Sequence, residues 1–81
     1  MNEQATGQAA ASAVAVQLPA HLQRVLVEKR ELDTKLDNLT AFFDKPAYKA
    51  LDPAEQARLR AQHMAMQVYS GILGQRISAA C

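Results

Sequence analysis

The sequence predicts an all-α protein: an antiparallel two-helix hairpin with an Ala-rich N-terminal segment, assembling into a homo-oligomeric helical bundle. Three observations lead there. Apolar residues recur with a seven-residue period over about 19–43, Asp52-Pro53-Ala54-Glu55 reads as a helix start, and the second helix carries more apolar surface than one partner helix can cover. The chain has 81 residues, 49% of them hydrophobic, so it holds one small domain. There is no Trp, and Tyr and Phe contribute two each, so a single copy can bury only a thin core and oligomerisation is expected.

Residues 1–17 are rich in Ala, Gln and Ser with one charge, Glu3. This composition fits a mobile tail. It also permits a short helix over Gln8 to Val16, if a neighbouring subunit covers Val14 and Val16. The hairpin proper occupies residues 18–81. Its first helix starts at Pro19, a natural first-turn residue, and places Leu22, Val25, Leu32, Leu36, Leu39 and Phe43 at a and d positions of successive heptads. Lys29 interrupts the stripe at an a position, where a polar residue costs stability and fixes register or oligomeric state. Leu26 and Phe42 widen the apolar face, and Arg24/Glu28 and Glu31/Lys35 are spaced for i,i+4 pairs on the solvated side.

Asp44-Lys45-Pro46 ends that helix, because a proline disfavours helical backbone in the residue before it and has no N–H to donate. A loop over 44–52 follows. Asp52 then supplies an N-cap, Pro53 a first-turn proline and Glu55 a carboxylate at the positive end of the dipole, so a second helix runs from 53 to about 79. Its apolar residues form two groups: Leu59, Met66, Leu73 and Ile77, and then Ala57, Ala61, Met64, Ala65, Val68 and Ile72. One hairpin partner cannot cover both, so Met64, Val68, Ile72 and Leu73 are the candidate oligomer interface. Gly71 and Gly74 are either tolerated surface residues or points where a second backbone comes close.

Several functions are disfavoured. Nine Lys+Arg against eight Asp+Glu give a net charge of +1, too little for binding a nucleic-acid backbone by bulk electrostatics. No nucleophile elbow, HExxH, Walker loop or dinucleotide-binding glycine motif is present, so the protein is not expected to be an enzyme and no cofactor is implied. Two isolated histidines, His21 and His63, offer no metal site and read as surface or capping residues. Cys81 alone cannot form an internal disulfide. Neither a signal peptide nor a membrane span is legible, which points to the cytoplasm.

What remains is a set of basic and aromatic residues. Arg58, Tyr69 and Arg76 fall within about 20° of one another around the second helix, on the border between its two apolar groups. A guanidinium fork and an aromatic ring offer bidentate phosphate contacts and a stacking face for an anionic nucleotide. The same residues can also serve structure alone, Tyr69 filling the hairpin interface and the arginine stems lying over apolar surface. Phe43, Tyr48 and Lys49, with Lys45, gather a second group of rings and cations near the hairpin end. There Tyr48 and Leu51 can instead fold down to cap the core.

The pattern Val25-x-x-Glu28-x-x-Glu31-Leu32-x-x-Lys35-Leu36-x-x-Leu39-x-x-Phe42, followed by Glu55, Leu59, Gln62 and Met66-x-x-Tyr69-x-x-Ile72-Leu73-x-x-Arg76-Ile77, resembles a short helical-hairpin family of phages and prophages. Related hairpins are anti-defence sponges, anti-CBASS and anti-Thoeris proteins that sequester a cyclic nucleotide signal without cleaving it. The resemblance spans about residues 22–77. It implies a homo-oligomer, often a hexamer, acting in the cytoplasm of an infected bacterial host. Its ligand pockets would lie between subunits and take a cyclic dinucleotide, a cyclic trinucleotide or a cyclic ADP-ribose isomer. Tyr69, Arg76 and Phe43 are the positions that match; Arg58, Tyr48 and Lys49 rest on their chemistry alone. The alternative reading is a structural or protein-interaction hairpin oligomer that holds a phage or host protein on its second apolar face.

Overall fold

The computed structural model describes residues 18–80; the expectations for residues 1–17 and for Cys81 lie outside the described residues. The described chain is helical throughout: α1 (Ala20–Phe42), a one-turn α2 (Pro46–Lys49) and α3 (Pro53–Ala80). α1 and α3 pack along their lengths as an antiparallel hairpin.

Each terminus follows from local chemistry. Pro19 precedes α1 with an extended ψ of 154°, and its carbonyl accepts from the Leu22 and Gln23 amides. The Gln23 side chain reaches back to the Leu18 carbonyl at 2.8 Å, tying the entering chain to the first turn. At the other end the α1 spiral tightens, with the Phe43, Asp44 and Lys45 amides bonded to carbonyls three residues earlier. α3 starts as its cap predicts: Asp52 Oδ1 accepts from the Glu55 amide at 2.8 Å, and the Asp52 carbonyl from the Gln56 amide.

The 44–52 connection differs from the expected loop. Pro46, preorganised for a first turn, starts α2, which closes with the Ala50 amide on the Pro46 carbonyl. Gln56, one turn into α3, donates its side-chain amide toward the carbonyls of Tyr48, Lys49 and Leu51. Those carbonyls would otherwise be orphaned at the end of so short a helix.

The hairpin seam is a heptad on both sides. On α1 it is the predicted stripe, with Leu22 and Val25 buried and Lys29, Leu32, Leu36 and Leu39 half-buried. On α3 the inward positions are Gln56, Leu59, His63, Met66, Ser70, Leu73 and Ile77, alternating three and four residues apart. Leu18, Leu22, Val25 and Leu73 form the buried cluster, with Leu26, Leu32 and Ile77 packed against it. Leu73, expected at an interface between subunits, is 1% exposed and belongs to this intrachain core. It follows Ser70 by three residues on the seam, which turns it toward α1 and away from Ile72 beside it.

Candidate functional site

Three groups of side chains carry chemistry, and the hairpin holds them at different heights. At the closed end, Tyr48 is 3% exposed and wedged between elements. Its ring packs edge-on against Phe42 and Phe43, with centroids 5.9 and 4.9 Å away, and its hydroxyl accepts from Arg60 Nε at 2.7 Å. Tyr48, expected among the ligand-binding residues, is therefore enclosed at the closed end of the hairpin: its ring packs against Phe42 and Phe43 and its hydroxyl is engaged. Phe43 stays half-buried, with its ring 5.2 Å from the His63 imidazole. Lys49, in the last turn of α2, is exposed beside this cluster.

His63 departs from its expected surface role, since it sits on the seam and meets Thr40 Oγ1 across the hairpin at 2.8 Å. The Thr40 hydroxyl has one proton, and its 2.9 Å contact to the Leu36 carbonyl uses it. It therefore accepts from the imidazole, which places the ring proton on Nε2.

Midway along the hairpin lies a charged network. Lys29 Nζ donates to Asp33 Oδ2 and to Ser70 Oγ, each at 2.9 Å, and the Ser70 hydroxyl donates to Asp33 Oδ1. The Ser70 hydroxyl, then the Lys29 ammonium, hold the Asp33 carboxyl below its ordinary range, against a smaller upward push from burial. Lys29, the polar break in the α1 stripe, thus has a specific partner on α3. The Lys29 stem runs beside Gly74, where a Cβ would stand 3.4 Å from Lys29 Cε, an ordinary van der Waals contact.

The third group is the outward side of α3. Met64 is 65% exposed, Val68 63%, Ile72 48% and Tyr69 43%, while Ala57, Ala61 and Ala65 between them are exposed as well. Arg58 and Arg76 stand on the same exposed side, Arg58 paired with Glu55 at 2.8 Å one turn earlier. They are eighteen residues apart, about 27 Å along the axis, so one small ligand cannot touch both on the same chain. Phe43 and Lys49 belong with the closed end, and Tyr69 and Arg76 with the middle and far part of α3. The predicted ligand-binding residues therefore do not converge within one hairpin.

The groups that the sequence reading missed are polar seam residues: Gln56, His63 and Ser70 on α3, with Thr40, Asp33 and Arg60 as their companions or neighbours. Their signal was the seven-residue spacing of Gln56, His63 and Ser70, which a search for apolar periodicity passes over. Among the described residues no cluster of three or more His, Cys, Asp or Glu is placed to hold a metal, and no helix is long and apolar enough to cross a membrane.

Comparison with known proteins agrees with an assignment by hairpin pattern. No curated protein and no solved structure matches the chain. Residues 19–79, the whole hairpin from the start of α1 almost to the end of α3, match the family model described as Sequestin, and the chain belongs to the Sequestin family.

Proposed function

We propose that this protein sequesters a cyclic nucleotide immune signal, holding it uncleaved in pockets between the subunits of a homo-oligomer, as a phage anti-defence protein. The observation that carries this reading is membership of a family named for sequestration across nearly all of the described chain. The surface of α3 supplies a chemistry suited to the task. Exposed Tyr69 offers a stacking face, and exposed Arg58 and Arg76 offer bidentate donors to a phosphate. Phe43 and Lys49 form a second candidate wall, with Tyr48 buttressing Phe43 from inside. Binding that depends on residues from more than one chain accounts for their separation on a single hairpin.

The test is a thermal-shift screen against cyclic dinucleotides, cyclic trinucleotides and cyclic ADP-ribose isomers, because a ligand bound only by the folded state raises its melting temperature. The reading requires a shift with at least one, the ligand recovered intact after denaturation, and loss of the shift in Arg76→Ala. No shift across the panel would favour a protein-interaction hairpin, for which the exposed Met64, Val68 and Ile72 already provide an apolar face.

A further inference from the structure

We propose that the outward face of α3 pairs with the same face of a second copy, antiparallel, about a two-fold axis beside Val68. Arg58 of one protomer and Arg76 of the partner subunit then close on a single anionic group. The proposal rests on the sequestration reading above and adds to it the partner, the register and the paired residues.

The occupant is argued from the face itself. Met64 and Ile72 stand four residues to either side of Val68, so the two-fold sets each against the other and Val68 against its own copy. Ala65 and Gly71 come to one height on the two flanks of the seam, each small enough to let the helices come close. Around Gly71 there is nothing within 4 Å of where a Cβ would lie, so the hairpin itself gives no reason for a glycine that costs a helix about 1 kcal/mol. A neighbouring backbone gives one. The outer side of α1 is a poorer mate, since Val27 is its one large exposed hydrophobic among the described residues.

Charge ties this pairing to a ligand. After Glu55, α3 carries no carboxylate as far as Ala80, while it carries Arg58, Arg60 and Arg76. Arg58 lies ten residues before Val68 and Arg76 eight after, so the two-fold leaves them about 3 Å apart along the axis. Across an interaxial gap of about 8–10 Å, two guanidinium groups can reach a common phosphate. Without an anion they repel, and with one they are bridged. Tyr69 lies on the same border seven residues from Arg76, about 10 Å away, where its ring can receive the nucleoside attached to that phosphate. The symmetry makes two such sites per pair.

The register is tested by cross-linking in a Cys81→Ser background. Val68→Cys should form a disulfide with its own copy on mild oxidation. Met64→Cys and Ile72→Cys should each fail alone and cross-link when mixed, because either residue lies about 12 Å along the axis from its own copy, beyond the roughly 4.4–6.8 Å Cα span of a disulfide. Met64→Cys cross-linking to itself as readily as Val68→Cys, or a chain that sediments as a monomer at every concentration, would overturn the pairing. Inorganic pyrophosphate is the probe for the bridged anion. It should raise the dimer fraction of the unmodified chain at least several-fold, and Arg58→Gln or Arg76→Gln should each remove that rise; a rise unchanged in both would overturn the arginine clamp. A nucleotide-induced thermal shift on a strictly monomeric chain would sink the pairing and spare sequestration. Val68→Cys cross-linking with no response to any nucleotide would do the reverse.

Discussion

The two sides of α3 differ in how they are satisfied. Its inward side alternates apolar layers, Leu59, Met66 and Leu73, with polar ones, Gln56, His63 and Ser70, and each polar residue finds a partner within the chain. Its outward side repeats Ala, Met, Val and Ile with no such partners inside the hairpin. His63 and Ser70, whose partners lie on α1, specify one intrachain alignment, because leaving either unpaired at a seam costs more than a generic apolar mismatch. The outward side specifies nothing until another molecule covers it. Folding and association are thereby written on opposite sides of one helix.

Substitutions should separate the two. The largest effect is expected at the closed end, where Tyr48→Ala removes a buried ring and leaves Arg60 without its acceptor. A loss of about 3–5 kcal/mol is expected in chemical denaturation of the hairpin. Leu73→Ala comes next at about 2–5 kcal/mol, whereas Ile72→Ala, its neighbour on the other side, should change hairpin stability by no more than about 0.5 kcal/mol and act on association alone. If the two substitutions proved equally costly to the isolated hairpin, the distinction between the sides would fail.

Smaller effects sharpen the comparison further. Ser70→Ala should cost about 1 kcal/mol of stability at neutral pH. It should also flatten the acid limb of the pH profile. Asp33 titrates below its ordinary value in the folded state, so its contribution is complete above about pH 4 and is lost as pH falls through the lowered folded value. Removing Ser70, the main cause of that lowering, narrows the window over which stability falls, as melting temperatures between about pH 2 and 5 would reveal.

The smallest pair is Gly74→Ala and Gly71→Ala. Each should raise the stability of an isolated hairpin by up to about 1 kcal/mol through helix propensity. At Gly74 the added Cβ meets only the flexible stem of Lys29. At Gly71 the same methyl group should weaken self-association, so the two alanines should diverge in sedimentation while agreeing in thermal melts.

Much of this architecture was legible from the residues. The α1 stripe, the Asp52 cap and the two apolar groups of α3 announce themselves because heptad spacing, capping and the proline breaks are local properties. The meaning of Lys29 was half legible: its position marked a register device, but naming Ser70 as its partner required knowing how α3 slides along α1. Tyr48 could not be resolved from sequence, since ring and cation neighbours suit a ligand wall and a core cap alike. The choice depends on the helical turn of α2, which brings Tyr48 under Phe42 and Phe43. Leu73 and Ile72 show the same limit at single-residue scale. Adjacent on a helix with apolar residues most of the way round, they are told apart only by where α1 lies.

The polar ladder has a consequence for editing the chain. Gln56 reads backbone carbonyls, His63 reads a hydroxyl, and Ser70 reads an ammonium and a carboxylate together. A slip of one heptad would keep apolar layers opposite apolar layers yet present His63 and Ser70, the two rungs that reach α1, with the wrong counterparts, so the hairpin carries its own proofreading against misalignment. Only six residues, 64–69, separate the His63 and Ser70 rungs, so a heptad cut from both arms there would remove one rung and leave the other to hold the alignment. Cut from one arm alone, it would leave at least one rung unanswered whichever way the helices were matched.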